Sequence, residues 1–207
     1  GATEGLLFSA LTTIGIGLLL LLITRNRKRE IRMRDGYLTV VMGWLSMVIF
    51  GTLPYLLTQS LASYSDALFE TMSGFTATGA TIVQDIEALP KSIILWRSLT
   101  HWLGGMGIIV LAVAILPLLG IGGVQLFSAE ATAVGGDKLH PRISYTAKRL
   151  WYIYVGFTVL EALMLTFAGM SVFDAINHSM STMASGGFST KNESLAYWNN
   201  SPMIQYT

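Results

Sequence analysis

Long uncharged runs alternate with short charged ones along this chain. Residues 5–23 and 37–65 hold no charged side chain, residues 98–129 hold no titratable group but His101, and residues 151–170 carry one acid, Glu161. A helix rising 1.5 Å per residue needs about 20 apolar residues to cross a ~30 Å hydrocarbon core, so each run predicts a membrane-spanning helix. The second run is longer than one crossing needs, and Pro54 predicts that its helix distorts or finishes in its later half. Pro117 and Gly120 to Gly123 mark the expected end of the third. A signal peptide is the rival for the first run, but its basic residues should precede the apolar stretch, and here they follow it.

Composition agrees with this pattern. The 207 residues are 52% hydrophobic and 12% charged, where soluble chains carry about 25% charge. A net charge of +1 points away from nucleic acid. Cysteine is absent, which excludes disulfides, thiolate metal sites and a cysteine nucleophile. No His, Asp, Glu and Ser arrangement has the spacing of hydrolytic or metal catalysis, and no phosphate-binding loop occurs, so neither an enzyme nor a cofactor is expected. The first residue is Gly1 rather than Met, from which a processed chain or a piece of a longer one is expected.

Charge placement orients the spans, because Lys and Arg are retained on the cytoplasmic side. Arg25, Arg27, Lys28, Arg29, Arg32 and Arg34 follow the first run, and Lys138, Arg142, Lys148 and Arg149 follow the third; only Lys91, Arg97 and Lys191 fall on the other side. The expected topology puts the N-terminus outside, both basic loops in the cytoplasm, and residues of about 60–97 and 171–207 on the outer face. Trp44, Trp96, Trp102 and Trp151 fall near the expected span ends, as interfacial aromatics should. Cysteines placed at Asn26 and Asp85 in right-side-out cells should differ in labelling by an impermeant thiol reagent, with Asp85 the reactive one; labelling at Asn26 alone would reverse the topology.

Shifting the chain by 108 residues reveals a repeat. Asp66, Ala67, Met72 and Ser73 recur as Asp174, Ala175, Met180 and Ser181, with Leu68/Ile176 and Thr71/Ser179 conservative. With a one-residue gap, Ala77-Thr78-Gly79-Ala80 then falls on Ala184-Ser185-Gly186-Gly187. The same shift lays the second span on the fourth, so the repeated unit is span, short segment, glycine-bearing loop, span. The two units run parallel, with both loops on the outer face. Each short segment opens with an acid able to cap a helix, Asp66 or Asp174, and runs only about ten residues, too few to cross. It is expected to re-enter. Non-helical backbone survives at membrane depth only where protein or water satisfies it, so these loops should line an aqueous path. Glycine lets successive carbonyls face one axis, and a short helix ending there adds a negative dipole; both favour a cation, and carbonyl rings are able to replace the hydration shell of potassium.

Three strings, in order and with the repeat, carry a resemblance: Thr76-Ala77-Thr78-Gly79-Ala80-Thr81, residues 102–117 (WLGGMGIIVLAVAILP), and Ala184-Ser185-Gly186-Gly187-Phe188-Ser189-Thr190. From about residue 36 onward the chain resembles the Trk/Ktr/HKT superfamily of potassium transporters in its bacterial, TrkH-type branch. The resemblance implies an all-α integral membrane protein of potassium-channel-like type, with four span–pore helix–filter loop–span repeats about a pseudo-fourfold axis after extra N-terminal spans. On that plan residues 1–35 are an extra transmembrane helix and basic cytoplasmic loop, 36–120 the first repeat, 121–145 a cytoplasmic linker, and 146–207 the first span and pore loop of the second. Two of the expected four repeats are thus in these residues, and a polypeptide about twice as long is expected to complete the pore. The third and fourth repeats, with the intramembrane gating loop and conserved arginine the family places there, are not in this sequence, and Ser185 stands where the family usually has threonine. The implied filter is Thr76, Ala77, Thr78, Gly79, Ala184, Ser185 and Gly186, with potassium at Ala77, Thr78, Ala184 and Ser185. Also implied are a multi-pass place in the bacterial cytoplasmic membrane, a homodimer amid membrane lipid, and a cytoplasmic TrkA-type nucleotide-binding ring as regulator.

Plainer readings stand beside these. The loop glycines also suit tight turns or helix packing, and Gly104, Gly105 and Gly107 are read as helix-packing glycines. Asp66 and Asp174 serve as helix caps or as accessory cation-attracting groups, and Glu70 and His178, paired by the repeat, serve in packing or at a pore entrance. Glu161 is the most demanding: a mid-span carboxylate costs about 2.5–3.5 kcal/mol to insert, so it either functions or faces neighbouring helices protonated or hydrogen-bonded. A secondary transporter of another solute and a non-transporting scaffold remain the alternatives to potassium uptake.

Overall fold

The computed structural model describes residues 2–25, 33–115 and 139–206. Among them it is helical throughout, without strands, in agreement with the expected all-α class. The basic residues Arg27 to Arg32, Lys138, the Pro117 and Gly120 to Gly123 end of the third run, and most of the expected linker lie outside the described residues.

Helix α1 (Ala2–Thr24) is apolar on every side, with Leu18 to Ile23 all exposed; such a surface belongs against lipid rather than water. The second run is two helices, α2 (Met33–Gly51) and α3 (Leu53–Leu57), broken where Pro54 predicts. The reason is visible in the hydrogen bonds. Tyr55 donates its amide to Thr52 rather than to Gly51, and the Gly51 carbonyl so released accepts from the Trp96 indole at 3.1 Å.

Next come the short α4 (Tyr64–Phe75), the long α5 (Lys91–Ile115), the long α6 (Leu139–Phe167) and the short α7 (Val172–Met183). A 3-10 turn (Ser194–Trp198) and α8 (Pro202–Tyr206) follow. Three stretches, Thr3–Thr24, Leu38–Leu57 and Tyr145–Phe167, are long and apolar enough to cross a membrane. α5, at 25 residues, is long enough as well.

α5 is the hub, packed against α4, α6 and α7. It starts seven residues earlier than the uncharged run suggests, after Pro90, because Arg97 lies inside the helix with its charge neutralised in the interior. Two of its glycines make this packing possible: a Cβ on Gly104 would strike the Phe75 carbonyl, and one on Gly105 would crowd the Tyr154 hydroxyl and Ala184. Trp102 is half-buried against α6, its indole donating to the Thr158 hydroxyl at 3.0 Å.

Candidate functional site

Both short helices start in the same way and end in the same way. Their caps are Ser63 and Ser171, three residues before the acids expected to cap them. The Ser171 hydroxyl accepts from the Asp174 amide at 3.1 Å and donates to the Asp174 carboxylate at 2.7 Å, and the Ser63 hydroxyl accepts from the Ser65 amide. Asp66 and Asp174 sit in the first turns, where an acid suits the helix dipole. Asp174 also accepts from the Thr190 hydroxyl at 2.7 Å and so pins the chain beyond the second loop.

At the other end Thr76 and Ala184 are the C-caps. Ala77 and Ser185 then turn left-handed at φ 52° and 56°, and Gly79 and Gly187 at 78° and 88°. Amide bonds match as well: Ala77 to Gly74 and Thr78 to Ser73 in one loop, Ser185 to Thr182 and Gly186 to Ser181 in the other. Every pair is 108 residues apart, so the repeat continues through the loops without the one-residue gap that composition suggests. The counterpart of Gly79 is therefore Gly187, and that of Gly186 is Thr78. Two consecutive glycines made the register ambiguous in the sequence; backbone conformation resolves it. Left-handed Ala77 and Ser185 are strained residues held by their surroundings, a feature that collects at functional sites.

The loops meet each other. A Cβ on Gly79 would fall on the Gly186 carbonyl oxygen. Thr76, Thr78, Ser185 and Gly187 are exposed, whereas Gly186, Phe188, Ser189 and Thr190 are buried. The loops thus present one open edge and have a packed back.

That back is polar. Glu70 on α4 is fully buried and accepts from Arg97 Nε of α5 at 2.7 Å, from the Thr81 hydroxyl at 2.9 Å and from the Ile82 amide at 3.0 Å. Arg97, 1% exposed, also donates to the Thr81 hydroxyl at 3.1 Å and to the Ser189 carbonyl at 3.4 Å, and its guanidinium lies 4.2 Å from the centre of the Phe188 ring. One cation therefore holds the exits of both loops. In the second unit His178 takes the place of Glu70: its Nε2 meets the Ser189 hydroxyl at 3.0 Å as Glu70 meets Thr81, and its Nδ1 meets the Asp174 carbonyl at 2.8 Å. Glu161 on α6 is partly buried and hydrogen-bonded to Thr182 on α7, beside the second loop rather than free in the span.

Beyond the loops a polar strap joins the two units. Asn192 accepts from the Ile86 amide at 2.7 Å and donates to Asp85 at 2.9 Å, and Lys191 pairs with Glu87 at 3.1 Å. The Asn192 amide holds the Asp85 carboxyl below its ordinary range, and Glu87 holds the Lys191 ammonium above its own.

Sequence reasoning singled out Thr76, Ala77, Thr78, Gly79, Ala184, Ser185 and Gly186, and the structure gathers them into these two facing loops. It missed Ser63, Ser171, Gly187, Asn192, His101 and Arg97. For Arg97 a signal existed: a helix opening at Pro90, a residue favoured at helix starts, encloses it by about two turns.

Comparison with known proteins gives a consistent result. Residues 7–207 match the family model TrkH, described as cation transport protein. The chain is 50% identical over 190 residues to the Trk system potassium uptake protein TrkH of Halomonas elongata, covering 91% of this chain and 39% of that protein. It is 46% identical over 206 residues to the Escherichia coli K12 protein of the same description, covering 99% and 42%. The crystal structure of the potassium transporter TrkH from Vibrio parahaemolyticus superposes with a TM-score of 0.85 at 42% identity, covering all of this chain and 41% of that one. The chain thus spans about two fifths of the length of the curated relatives it matches.

Proposed function

This chain belongs to the TrkH family of cation transport proteins, and we propose that its two loops form part of the selectivity filter of a potassium uptake protein of the bacterial cytoplasmic membrane. The observation that carries this reading is the meeting of two loops with one backbone conformation, repeated at 108 residues, with the Gly186 carbonyl set against Gly79. Potassium is the substrate that its relatives' names supply. A bare cation needs its water replaced by oxygens at fixed positions, and the backbone carbonyls of Thr76, Ala77, Thr78, Gly79, Ala184, Ser185 and Gly186 would supply them, Gly187 joining by its match to Gly79. α4 and α7 serve as pore helices whose C-terminal ends bring partial negative charge to the loops. Two such loops make half of a fourfold ring, and the reading places the other half in residues outside these 207.

Partners enter on the family resemblance alone: a homodimer in lipid, with a cytoplasmic TrkA-type nucleotide-binding ring that gates the path. Expression of the intact protein in a bacterium deficient in potassium uptake tests the reading. Growth at limiting potassium and rubidium uptake that excess sodium does not suppress are expected. Absence of both, with the protein present in the membrane, would reject it.

A further inference from the structure

His101 was unremarkable in the sequence, a lone titratable residue in an apolar run. In the structure it is fully buried on α5 and touches the second loop at three places. Its Nδ1 lies 3.1 Å from the hydroxyl of Ser181, the residue whose carbonyl accepts the Gly186 amide at the base of the loop. Its ring stacks on Phe188, with centroids 3.9 Å apart and planes 16° from parallel. Between these points it backs Gly186: the atoms nearest a Cβ built there are Nδ1, Cε1 and Cγ of the imidazole. Gly186 is outside the left-handed region that demands glycine. Its lack of a side chain is therefore a matter of space, and His101 takes that space.

The contacts run in series. His101 stands behind Gly186, and the Gly186 carbonyl stands against Gly79 of the first loop. A rigid ring on a long helix therefore limits how far the second loop can retreat from the first. We propose that His101 is a positioning residue that sets the spacing between the two loops, and through it the discrimination of potassium from the smaller sodium ion. This rests on the filter reading above. Carbonyls that draw back or splay lose their match to the larger ion, and displacements of about 1 Å at a binding site are enough to cost orders of magnitude.

The test compares sodium inhibition of rubidium uptake by the intact protein in uptake-deficient cells, at matched membrane abundance. His101→Ala removes the ring and Gly186→Ala pushes the loop off it; each is expected to lower discrimination about tenfold. Combining them should return it to within about threefold of wild type, because the new methyl enters the space the ring left. His101→Phe keeps a planar ring and should also stay within that range. A role in folding alone would make the double variant worse than either single one. Should His101→Ala not accumulate, His101→Ser takes its place, its hydroxyl being suited to the buried Ser181 group. Wild-type discrimination in the ring-deleted variant, or a double variant no better than Gly186→Ala, overturns the proposal. Gly79→Ser, run beside them, separates the two levels. If Gly79→Ser alters discrimination and the ring deletion does not, only the role of His101 fails; if Gly79→Ser is also silent, the filter reading fails with it.

Discussion

Replacing Arg97 with methionine, which keeps the length of the side chain and removes its charge, should destabilise the protein by about 3–5 kcal/mol. The reason is what remains: Glu70 is fully buried, and without the guanidinium its carboxylate keeps only the Thr81 hydroxyl and Ile82 amide. Breaking a buried pair from one side leaves an uncompensated charge, whereas replacing both partners often costs little. The double variant Glu70→Gln/Arg97→Met should therefore recover most of the loss. Thermal denaturation in detergent, followed by tryptophan fluorescence, is the measurement, with the single variant expected about 10 °C below wild type. A single variant as stable as wild type would mean that Glu70 does not depend on Arg97 for its burial, contrary to the geometry. Because Arg97 also reaches the Ser189 carbonyl and the Phe188 ring, loosening should extend to both loops.

Gly79→Ser is the variant with the largest expected effect on transport. Two costs coincide there. The backbone is left-handed at φ 78°, which costs a residue bearing a Cβ about 1–2 kcal/mol, and the new Cβ collides with the Gly186 carbonyl of the facing loop. Discrimination between rubidium and sodium should fall by about a hundredfold, with the protein still inserted in the membrane. Gly169 supplies the control. It is also left-handed, at φ 101°, but a Cβ there meets nothing within 4 Å. Gly169→Ala should cost about 1–2 kcal/mol of stability and leave discrimination unchanged. Equal effects from the two variants would show that strain, not contact between the loops, governs selectivity.

Much of this was legible in the linear pattern. Uncharged runs of membrane length announce helices because lipid offers no partners for an open backbone, so hydropathy alone locates spans. The break near Pro54 is equally local, since it follows from a missing N–H. The short segments and their loops were visible through the repeat, because two copies of one backbone conformation keep similar residues at matched positions. Register within the loops was another matter. Gly186 and Gly187 are chemically identical, and only the dihedral angles distinguish the one that must be left-handed from the one that must leave room for a ring.

Charge was misleading in the same way. Read along the chain, Arg97 belongs to an outer loop and delays the start of the third span, and Glu70 is one of several acids near a pore entrance. Their pairing spans 27 residues and two helices, a separation that no periodicity encodes, and only packing converts two costly buried charges into one satisfied pair. The sequence by itself determined the helical class, the helices of membrane-spanning length, the two glycine-bearing loops and the family. Tertiary structure alone decided which side chains stand behind the loops and beside the break: His101 behind Gly186, Arg97 between Glu70 and Ser189, Trp96 on the Gly51 carbonyl that the Tyr55 amide leaves free. Local propensity and hydropathy depend on neighbours in sequence, whereas these contacts depend on which helices α5 is packed between.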